Sequence, residues 1–183
     1  MAVPAIEAFV TGSVGSAPEP DRLLSTVLFT DIVDSTARAA TIGDRRWSDL
    51  LDDHDRICAR ALDHSRGRLV KMTGDGLLAT FDGPATAIRA AQAMITNLGV
   101  LGLSLRCGIH TGEIERRGDD IGGVGVNLAA RIMALAPAGA VWVSSTVPGL
   151  SSGSSIRFEE CGPHLLKGID GQHELYSAVA PSS

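Results

Sequence analysis

The order of apolar segments constrains the fold of this 183-residue chain more than any other feature of its sequence. An apolar strand is predicted over residues 23–30. Apolar side chains then recur at three- and four-residue steps over residues 47–62, which predicts a helix. Two short strands follow at residues 68–72 and 77–81, and the TGDG segment at residues 73–76 between them contains an Asp-Gly step typical of a β-hairpin.

A second helix is predicted to begin at Pro84, because proline suits the first turn of a helix, and a strand follows at residues 103–109 and continues toward Glu115. The order strand, helix, strand, strand, helix, strand is the split βαβ pattern of ferredoxin-like folds. We therefore predict an α+β domain with a central, mostly antiparallel sheet. Its predicted C-terminal extension contains a helix at residues 127–136 and strands at residues 141–144, 156–160 and 174–179.

The first 21 residues differ in composition from the rest of the chain. Residues 12–21 are rich in Gly, Ser and Pro, which is typical of a linker, and residues 6–11 are compatible with a fragment of a helix. We predict an N-terminal segment and linker over residues 1–21 and one domain over residues 22–183. A linker in this position leads us to expect an N-terminal domain that is absent from this chain.

The composition argues against several classes of function. A formal charge of -5 disfavours a general affinity for nucleic acid or acidic membranes. No uninterrupted apolar segment of about 18 residues occurs, so we expect no membrane insertion, and the N-terminus lacks the basic start of a signal peptide. The three cysteines are widely spaced and form no CxxC motif, which favours reduced thiols in the cytoplasm over a zinc site.

Two aspartates are predicted to meet at one edge of the sheet. Asp31 ends the first predicted strand and Asp75 lies at the hairpin tip before the third, and these strands are antiparallel neighbours in the split pattern. Two unpaired carboxylates would repel and one would stay protonated, whereas an oxygen-ligated Mg²⁺ that holds a substrate phosphate removes the conflict. The structural alternatives are Asp31 as a turn former and Asp34 or Ser35 as a helix cap.

Four motifs follow one another along the chain: FTDI at residues 29–32, KMTGDG at 71–76, GIHTG at 108–112 and DIGGVGVNLAAR at 120–131. Together they resemble the class III nucleotidyl cyclases, especially the adenylate cyclases of the bacterial, actinobacterial type. The resemblance covers about residues 24–179. It implies the fold of the class III cyclase homology domain and the formation of a 3′,5′-cyclic monophosphate from ATP or GTP.

The resemblance implies a metal and phosphate site after the first strand. Asp31 and Asp75 match the two metal-binding aspartates of the family, with the carbonyl of Ile32 assisting, which implies two Mg²⁺ or Mn²⁺ ions per active site. One ion lowers the pKa of the ribose 3′-hydroxyl and the other neutralises the departing pyrophosphate. The implied phosphate-binding positions are a loop at a helix N-terminus and one lysine: Val33, Asp34, Ser35, Thr36 and Lys167.

Base selection in the family falls to the positions that match Lys71 and Asp120. A lysine ammonium donates to N1 of adenine and an aspartate accepts from its N6 amino group, whereas guanine would mismatch both groups. The resemblance therefore implies ATP as the substrate and adenylate cyclase as the activity. Asp119 competes for the acidic role, but the family's interval of seven residues to Asn127 selects Asp120.

Asn127 and Arg131 stand four residues apart and therefore share one face of the predicted helix. The resemblance implies that they are catalytic: Asn127 orients the ribose, and Arg131 stabilises the charge that develops on the α-phosphate. Without the surrounding motif, an exposed pair with no role would be the favoured interpretation. Because the family takes the metal side and the Asn/Arg side of one site from different subunits, a homodimer with active sites at its interface is implied.

The chain departs from the family pattern at two positions. Asp34 stands where relatives often carry glycine, and it adds a negative charge near the expected triphosphate unless it points away or caps the helix. Gly122 stands where many relatives carry an aromatic residue, so we expect a looser adenine pocket. His110 within GIHTG is interpreted as structural rather than as a general base, because the metal already supplies activation.

The rival function is a cyclase-like nucleotide-binding dimer module that transmits a signal with weak or no catalysis. Degenerate modules of this kind usually lose one of the matched residues. The sequence favours the enzyme because it retains all six: Asp31, Lys71, Asp75, Asp120, Asn127 and Arg131.

Overall fold

The computed structural model describes residues 19–181, so the helix fragment predicted at residues 6–11 and most of the predicted linker lie outside the described residues. The strands are β1 (Asp21–Ile32), β2 (Arg68–Met72), β3 (Gly76–Phe81), β4 (Leu105–Arg117), β5 (Asp120–Gly122), β6 (Val141–Ser144), β7 (Arg157–Leu165) and β8 (Gln172–Val179). The helices are α1 (Ser35–Ile42), α2 (Asp44–His64), α3 (Pro84–Val100), α4 (Val124–Leu135) and α5 (Thr146–Leu150).

One eight-stranded sheet organises these elements in the order β2-β3-β1-β4-β6-β8-β7, and β5 pairs with β4 beside this path. Strands β4 and β6 are parallel, and the other pairs of neighbouring strands are antiparallel. The predicted α+β fold with a mostly antiparallel sheet is therefore confirmed. Strand β1 lies in the sheet between β3 and β4, as the split βαβ pattern requires.

The alternation of side chains along β1 places apolar residues on both faces of the sheet. Leu28 and Ile32 face the main core, which β1, β3, β4 and β6 share with α2 and α3. Val27 faces the other side and belongs to a smaller cluster with Val126 and Ala129 of α4. Helices therefore cover both faces of the sheet, and α4 lies on the face opposite α2 and α3.

Strand β1 is longer than predicted, and Asp31 lies inside it instead of ending it. The Cα of Asp31 is opposite Gly76 of β3 on one side and Arg106 of β4 on the other. The interpretation of Asp31 as a turn former is therefore wrong. Strand β1 extends to Ile32 because it pairs along its length with β4, a strand of thirteen residues.

The helical region after β1 is two helices, α1 and α2, separated at Gly43. Gly43 has φ 86°, a left-handed conformation that glycine adopts without steric cost. Helix α1 buries none of its residues, so its sequence carries no apolar periodicity to detect. Helix α4 begins at Val124, three residues before the prediction, and the short elements β5 and α5 were not predicted.

Helix α4 packs directly on the backbone of β4. A Cβ atom at Gly108 of β4 would lie 2.5 Å from the carbonyl oxygen of Ala129 and would also collide with the backbone nitrogen of Met133. At the start of the helix, a Cβ atom at Gly125 would lie 2.7 Å from the carbonyl oxygen of Glu113. Glycine at both positions lets the helix and the strand approach this closely.

We expect Gly108→Ala to lower the free energy of unfolding by about 3 kcal/mol, because its methyl group meets backbone atoms that cannot move aside. The matched control is Gly99→Ala in α3, where a Cβ atom would meet nothing within 4 Å. That control should stabilise the domain by up to about 1 kcal/mol, since alanine favours helix. Urea unfolding of the two variants measures both effects, and equal stabilities would contradict this description of the α4–β4 contact.

Candidate active site

Asp31 and Asp75 come together at one end of the β1–β3 pair, as predicted. The strand register sets Asp31 opposite Gly76, and the backbone N–H of Ile32 donates to the carbonyl oxygen of Asp75 at 2.9 Å. Gly76 is needed here, because a Cβ atom at this position would overlap the backbone of Thr30. The hairpin tip is thereby held tightly against the end of β1.

Arg106 of β4 lies beside this carboxylate pair and was not predicted as a site residue. Its Nη2 and Nε atoms donate to Oδ2 of Asp31 at 2.9 and 3.3 Å, and its Nη1 donates to the carbonyl oxygen of Ala134 at 3.1 Å. The guanidinium therefore joins Asp31 to the C-terminal turn of α4. The register of β1 and β4 is the signal that could have identified Arg106, because it is the direct partner of Asp31.

The pKa of the Asp31 carboxyl is raised above its ordinary value of 3.8, first by burial and then by the neighbouring Asp75. Arg106 acts in the opposite direction but does not cancel these effects. Burial and the neighbouring carboxylate therefore disfavour the ionised form of Asp31, which is the conflict predicted from the sequence. This observation fits a divalent cation at the two carboxylates.

The chemistry of the donors also fits a hard dication, because carboxylate and carbonyl oxygens are the atoms that Mg²⁺ and Mn²⁺ prefer. Among residues 19–181, no group of three or more His, Cys, Asp and Glu side chains is arranged to hold a metal ion. Asp31 and Asp75 would therefore supply only part of a coordination shell. Mg²⁺ usually completes such a shell with water and substrate phosphates.

The loop after β1 differs in detail from the predicted phosphate loop. The N–H of Val33 already donates to the carbonyl oxygen of Ser104 at 2.8 Å, so this N–H is engaged within the protein and not directed to a phosphate. The first intrahelical hydrogen bond of α1 runs from the N–H of Arg38 to the carbonyl oxygen of Asp34. The N–H groups of Ser35 and Thr36 in the first turn remain the candidates from the predicted set.

Asp34 is the residue before α1, but its side chain makes no capping hydrogen bond, and neither does that of Ser35. Ser35 instead donates its hydroxyl to Oδ2 of Asp75 at 2.5 Å. Both capping interpretations are therefore wrong. Asp34 has φ 56°, a left-handed conformation that favours glycine. An open cavity of about 560 Å³ lies against this loop, and its lining includes Asp31, Asp34, Ser35, Thr36 and Arg106.

Lys71 and Asp120 meet although 49 residues separate them in the sequence. The ammonium of Lys71 donates to the two carboxylate oxygens of Asp120 at 3.0 and 2.8 Å, and each side chain is about half exposed, at 49% and 51%. The hydrogen bond from Lys71 is the main cause of a lowered pKa of Asp120, and the N–H of Ile121 adds to it. Asp120, and not Asp119, is therefore the partner of Lys71.

A second cavity of about 400 Å³ lies beside Asp120. Its lining combines apolar and polar side chains on the face of the sheet that also carries α4. The apolar part is formed by Leu23, Val70, Ile114 and Ile121. A flat, largely apolar ring with hydrogen-bonding groups at its edge fits such a slot.

Asn127, Arg131 and Lys167 are exposed in the part of the chain that the structure describes. Asn127 and Arg131 share one face of α4, as predicted, and Lys167 lies in the turn between β7 and β8. Within residues 19–181, no side-chain hydrogen bond or ion pair joins any of the three to Asp31, Asp75 or Lys71. One chain thus presents two separate groups of predicted site residues.

Three histidines, His54, His64 and His110, have different environments. The Nδ1 atom of His110 lies 2.7 Å from the hydroxyl of Ser144, at a partly buried position. His54 is fully buried within α2, and its ring lies 3.6 Å from the Sγ of Cys58. His64 is exposed at the end of α2.

The sequence model of the family described as adenylate and guanylate cyclase catalytic domain matches residues 24–179, which is most of the chain. This chain belongs to that family. The cyclase domain is 32% identical over 127 residues to an adenylate cyclase of Streptomyces coelicolor, which covers 68% of this chain and 33% of the relative. It is 29% identical over 177 residues to the serine/threonine-protein kinase pkn2 of Myxococcus xanthus, which covers 92% of this chain and 21% of the relative.

The cyclase domain spans 21 to 38% of the length of these and other curated relatives. A crystal structure from Silicibacter pomeroyi described as adenylate/guanylate cyclase/hydrolase matches with a TM-score of 0.79 and 26% identity, over 89% of this chain and all of that chain. The adenylyl cyclase CyaB of P. aeruginosa matches with a TM-score of 0.81 over 90% of this chain and 97% of that chain, and at 23% identity this likeness shows the fold alone. Within residues 19–181, none of the helices combines the length and hydropathy needed to cross a membrane.

We expect two ion pairs of the candidate site, Arg106–Asp31 and Lys71–Asp120, to differ in their effect on stability. Arg106→Leu leaves the less exposed Asp31 without its cation, which should lower the free energy of unfolding at pH 7 by about 1–3 kcal/mol. Asp120→Asn in the exposed pair should change it little. Urea unfolding at several pH values measures both variants.

The Arg106 effect should shrink as the pH falls through the raised pKa of Asp31, because the guanidinium stabilises only the ionised carboxylate. Arg106 lowers the pKa of Asp31, so its contribution to the free energy of unfolding is present above that pKa and is lost below it. An Arg106→Leu effect that is independent of pH would contradict the assignment of the ion pair.

Proposed function

We propose that this cyclase domain converts ATP to 3′,5′-cyclic AMP and pyrophosphate at two sites shared across a homodimer. The observation that carries the choice of ATP is the contact between Lys71 and Asp120 beside a partly apolar cavity. The ammonium donates to N1 of adenine and the carboxylate accepts from its N6 amino group. Guanine presents the opposite groups at both positions, and each buried mismatch costs about 1–3 kcal/mol.

In the free domain, Lys71 and Asp120 satisfy each other, so adenine must replace a charge-assisted contact that already exists. Both groups are half exposed, and their mutual attraction is accordingly weak. Adenine therefore separates them at small cost, while a base that cannot satisfy both would leave them unpaired. Lys71 and Asp120 therefore select between adenine and guanine together.

Two Mg²⁺ or Mn²⁺ ions would be held by Asp31, Asp75 and the carbonyl of Ile32. When bound, they supply a lowered pKa for the ribose 3′-hydroxyl and charge neutralisation for the leaving pyrophosphate. Arg106 and the first-turn N–H groups of Ser35 and Thr36 line the adjacent cavity and would bind triphosphate oxygens. The uncompensated charge of Asp34 opposes this binding.

The 3′-oxygen attacks the α-phosphorus, the bond from this phosphorus to the bridging oxygen breaks, and pyrophosphate leaves while the hydroxyl proton passes to water. Asn127 would orient the ribose, Arg131 would stabilise the charge on the α-phosphate, and Lys167 would bind the β- and γ-phosphates. Asn127 and Arg131 are exposed on α4, and within residues 19–181 no side-chain hydrogen bond or ion pair joins them to Asp31 or Asp75 of their own chain. This separation supports their use in the site of a partner protomer.

The direct test is incubation of the purified domain with ATP and Mn²⁺, followed by identification of the product. Cyclic AMP is expected. Turnover of GTP in preference to ATP would overturn the assignment of the base pocket. A folded dimer that binds ATP but forms no cyclic nucleotide would favour the rival function, a non-catalytic signalling module.

The double substitution Lys71→Glu with Asp120→Cys should shift preference from ATP toward GTP by about 100-fold or more, because it removes the groups complementary to adenine. The matched control is Asp119→Cys, which changes the adjacent carboxylate that does not contact Lys71. Kinetics with both nucleotides for the two variants measure the shift. Unchanged preference in the double variant would place base selection elsewhere.

A further inference from the structure

We propose that His110 is a positioning residue, whose ring fixes the first turn of α4 and thereby the placement of Asn127 and Arg131. This inference rests on the proposed function for its effect on catalysis, but its structural part stands independently. The sequence indicates a structural role for His110 but not which contacts of its ring perform that role. The structure shows these contacts.

A chain of hydroxyl groups fixes how the ring is held. Thr146 donates its hydroxyl to the carbonyl oxygen of Thr111 at 2.8 Å. Because the hydroxyl of Thr146 has only this one proton to donate, it accepts a hydrogen bond from the hydroxyl of Ser144 at 3.2 Å. Ser144 in turn accepts at 2.7 Å from Nδ1 of His110. The Nδ1 atom must therefore carry a proton, and β4, β6 and the start of α5 are joined by one directed network.

Two glycines make the space for this ring. A Cβ atom at Gly112, two residues along β4, would collide with Nε2 of His110. A Cβ atom at Gly125, in the first turn of α4, would lie 3.4 Å from Cδ2 of the ring. The imidazole therefore lies against Gly112 on the strand and extends to Gly125 on the helix. Because Gly125 also lies against the carbonyl oxygen of Glu113, this turn is held by a backbone contact and by the ring.

Asn127 follows Gly125 by two residues, and its N–H donates to the carbonyl oxygen of Gly123 at 3.2 Å in this same turn. The other end of the helix is set by the close approach at Gly108. A change at the ring therefore tilts or frays the turn that presents Asn127, and through it the position of Arg131. Displacements of this kind reduce catalysis strongly even when binding is little changed.

The surroundings of the ring favour its neutral form. Burial lowers the pKa of His110 below 6.5, and His173 of β8 lowers it further. Helix α4 carries one charged residue, the exposed Arg131, while β6 and α5 carry none. On the same face of β4, Arg106 is engaged with Asp31. Protonation would place a poorly solvated cation under α4, so the position of the helix should loosen as the pH falls through the lowered pKa of His110.

The test compares His110→Leu, which removes the hydrogen bond, with His110→Asn, whose amide can place a donor where Nδ1 stands but does not titrate. His64→Leu is the matched control at an exposed histidine on the opposite face of the sheet. Hydrogen exchange of the α4 amides is measured in all variants, together with kcat and KM for ATP between pH 5 and pH 8, a range chosen to span the ordinary pKa of about 6.5.

We expect His110→Leu to lose protection in the first turn of α4 and to lower kcat about 100-fold with KM nearly unchanged. His110→Asn should keep the protection and most of kcat, and it should lack the fall in kcat that we expect for the wild type as the pH falls through the lowered pKa of His110. His64→Leu should match the wild type. Wild-type protection of α4 in His110→Leu, or equal effects on kcat and KM, would overturn the inference. If the wild type forms no cyclic nucleotide, the proposed function fails, and α4 exchange still decides the role of His110.

Discussion

The antiparallel register of β1 between β3 and β4 is the constraint on which the rest of the site depends. It sets Asp31 opposite Gly76 on one side and Arg106 on the other, so one backbone alignment determines the carboxylate pair and its counter-charge. A slip of one residue would turn Asp31 toward the core that contains Leu28 and Ile32. The apolar alternation of β1 therefore stabilises the fold and orients the metal-binding candidates at the same time.

Helix α4 is the second fixed element, and two glycines let its backbone approach β4 closely while its buried apolar side chains pack in the core. Gly108 and Gly125 allow backbone contact with β4, and Arg106 links the far end of the helix to Asp31. The carboxylates and the outer face of α4 are consequently parts of one rigid frame. In a dimer, such a frame would hold the metal side of one site and the Asn127/Arg131 side of the other in a constant relation.

Much of this arrangement could be predicted from the sequence because it depends on local signals. The Asp-Gly hairpin and the split βαβ order placed Asp31 near Asp75, and motif spacing selected Asp120 over Asp119. Arg106 was missed because its role depends on strand register, which single-sequence patterns do not reveal. The engaged N–H of Val33 and the positive φ of Asp34 could not be predicted, because the backbone bond to Ser104 and this φ arise only in the folded loop.

The central claim is that each active site combines Asp31 and Asp75 of one protomer with Asn127 and Arg131 of its partner. Mixing two inactive variants, Asp75→Asn and Arg131→Ala, tests it most directly, because a mixed dimer regains one intact site. We predict that each variant alone is inactive with ATP and Mn²⁺, and that mixing restores cyclic AMP formation in proportion to the fraction of mixed dimers. No recovery from a mixture shown to exchange subunits would contradict the shared site.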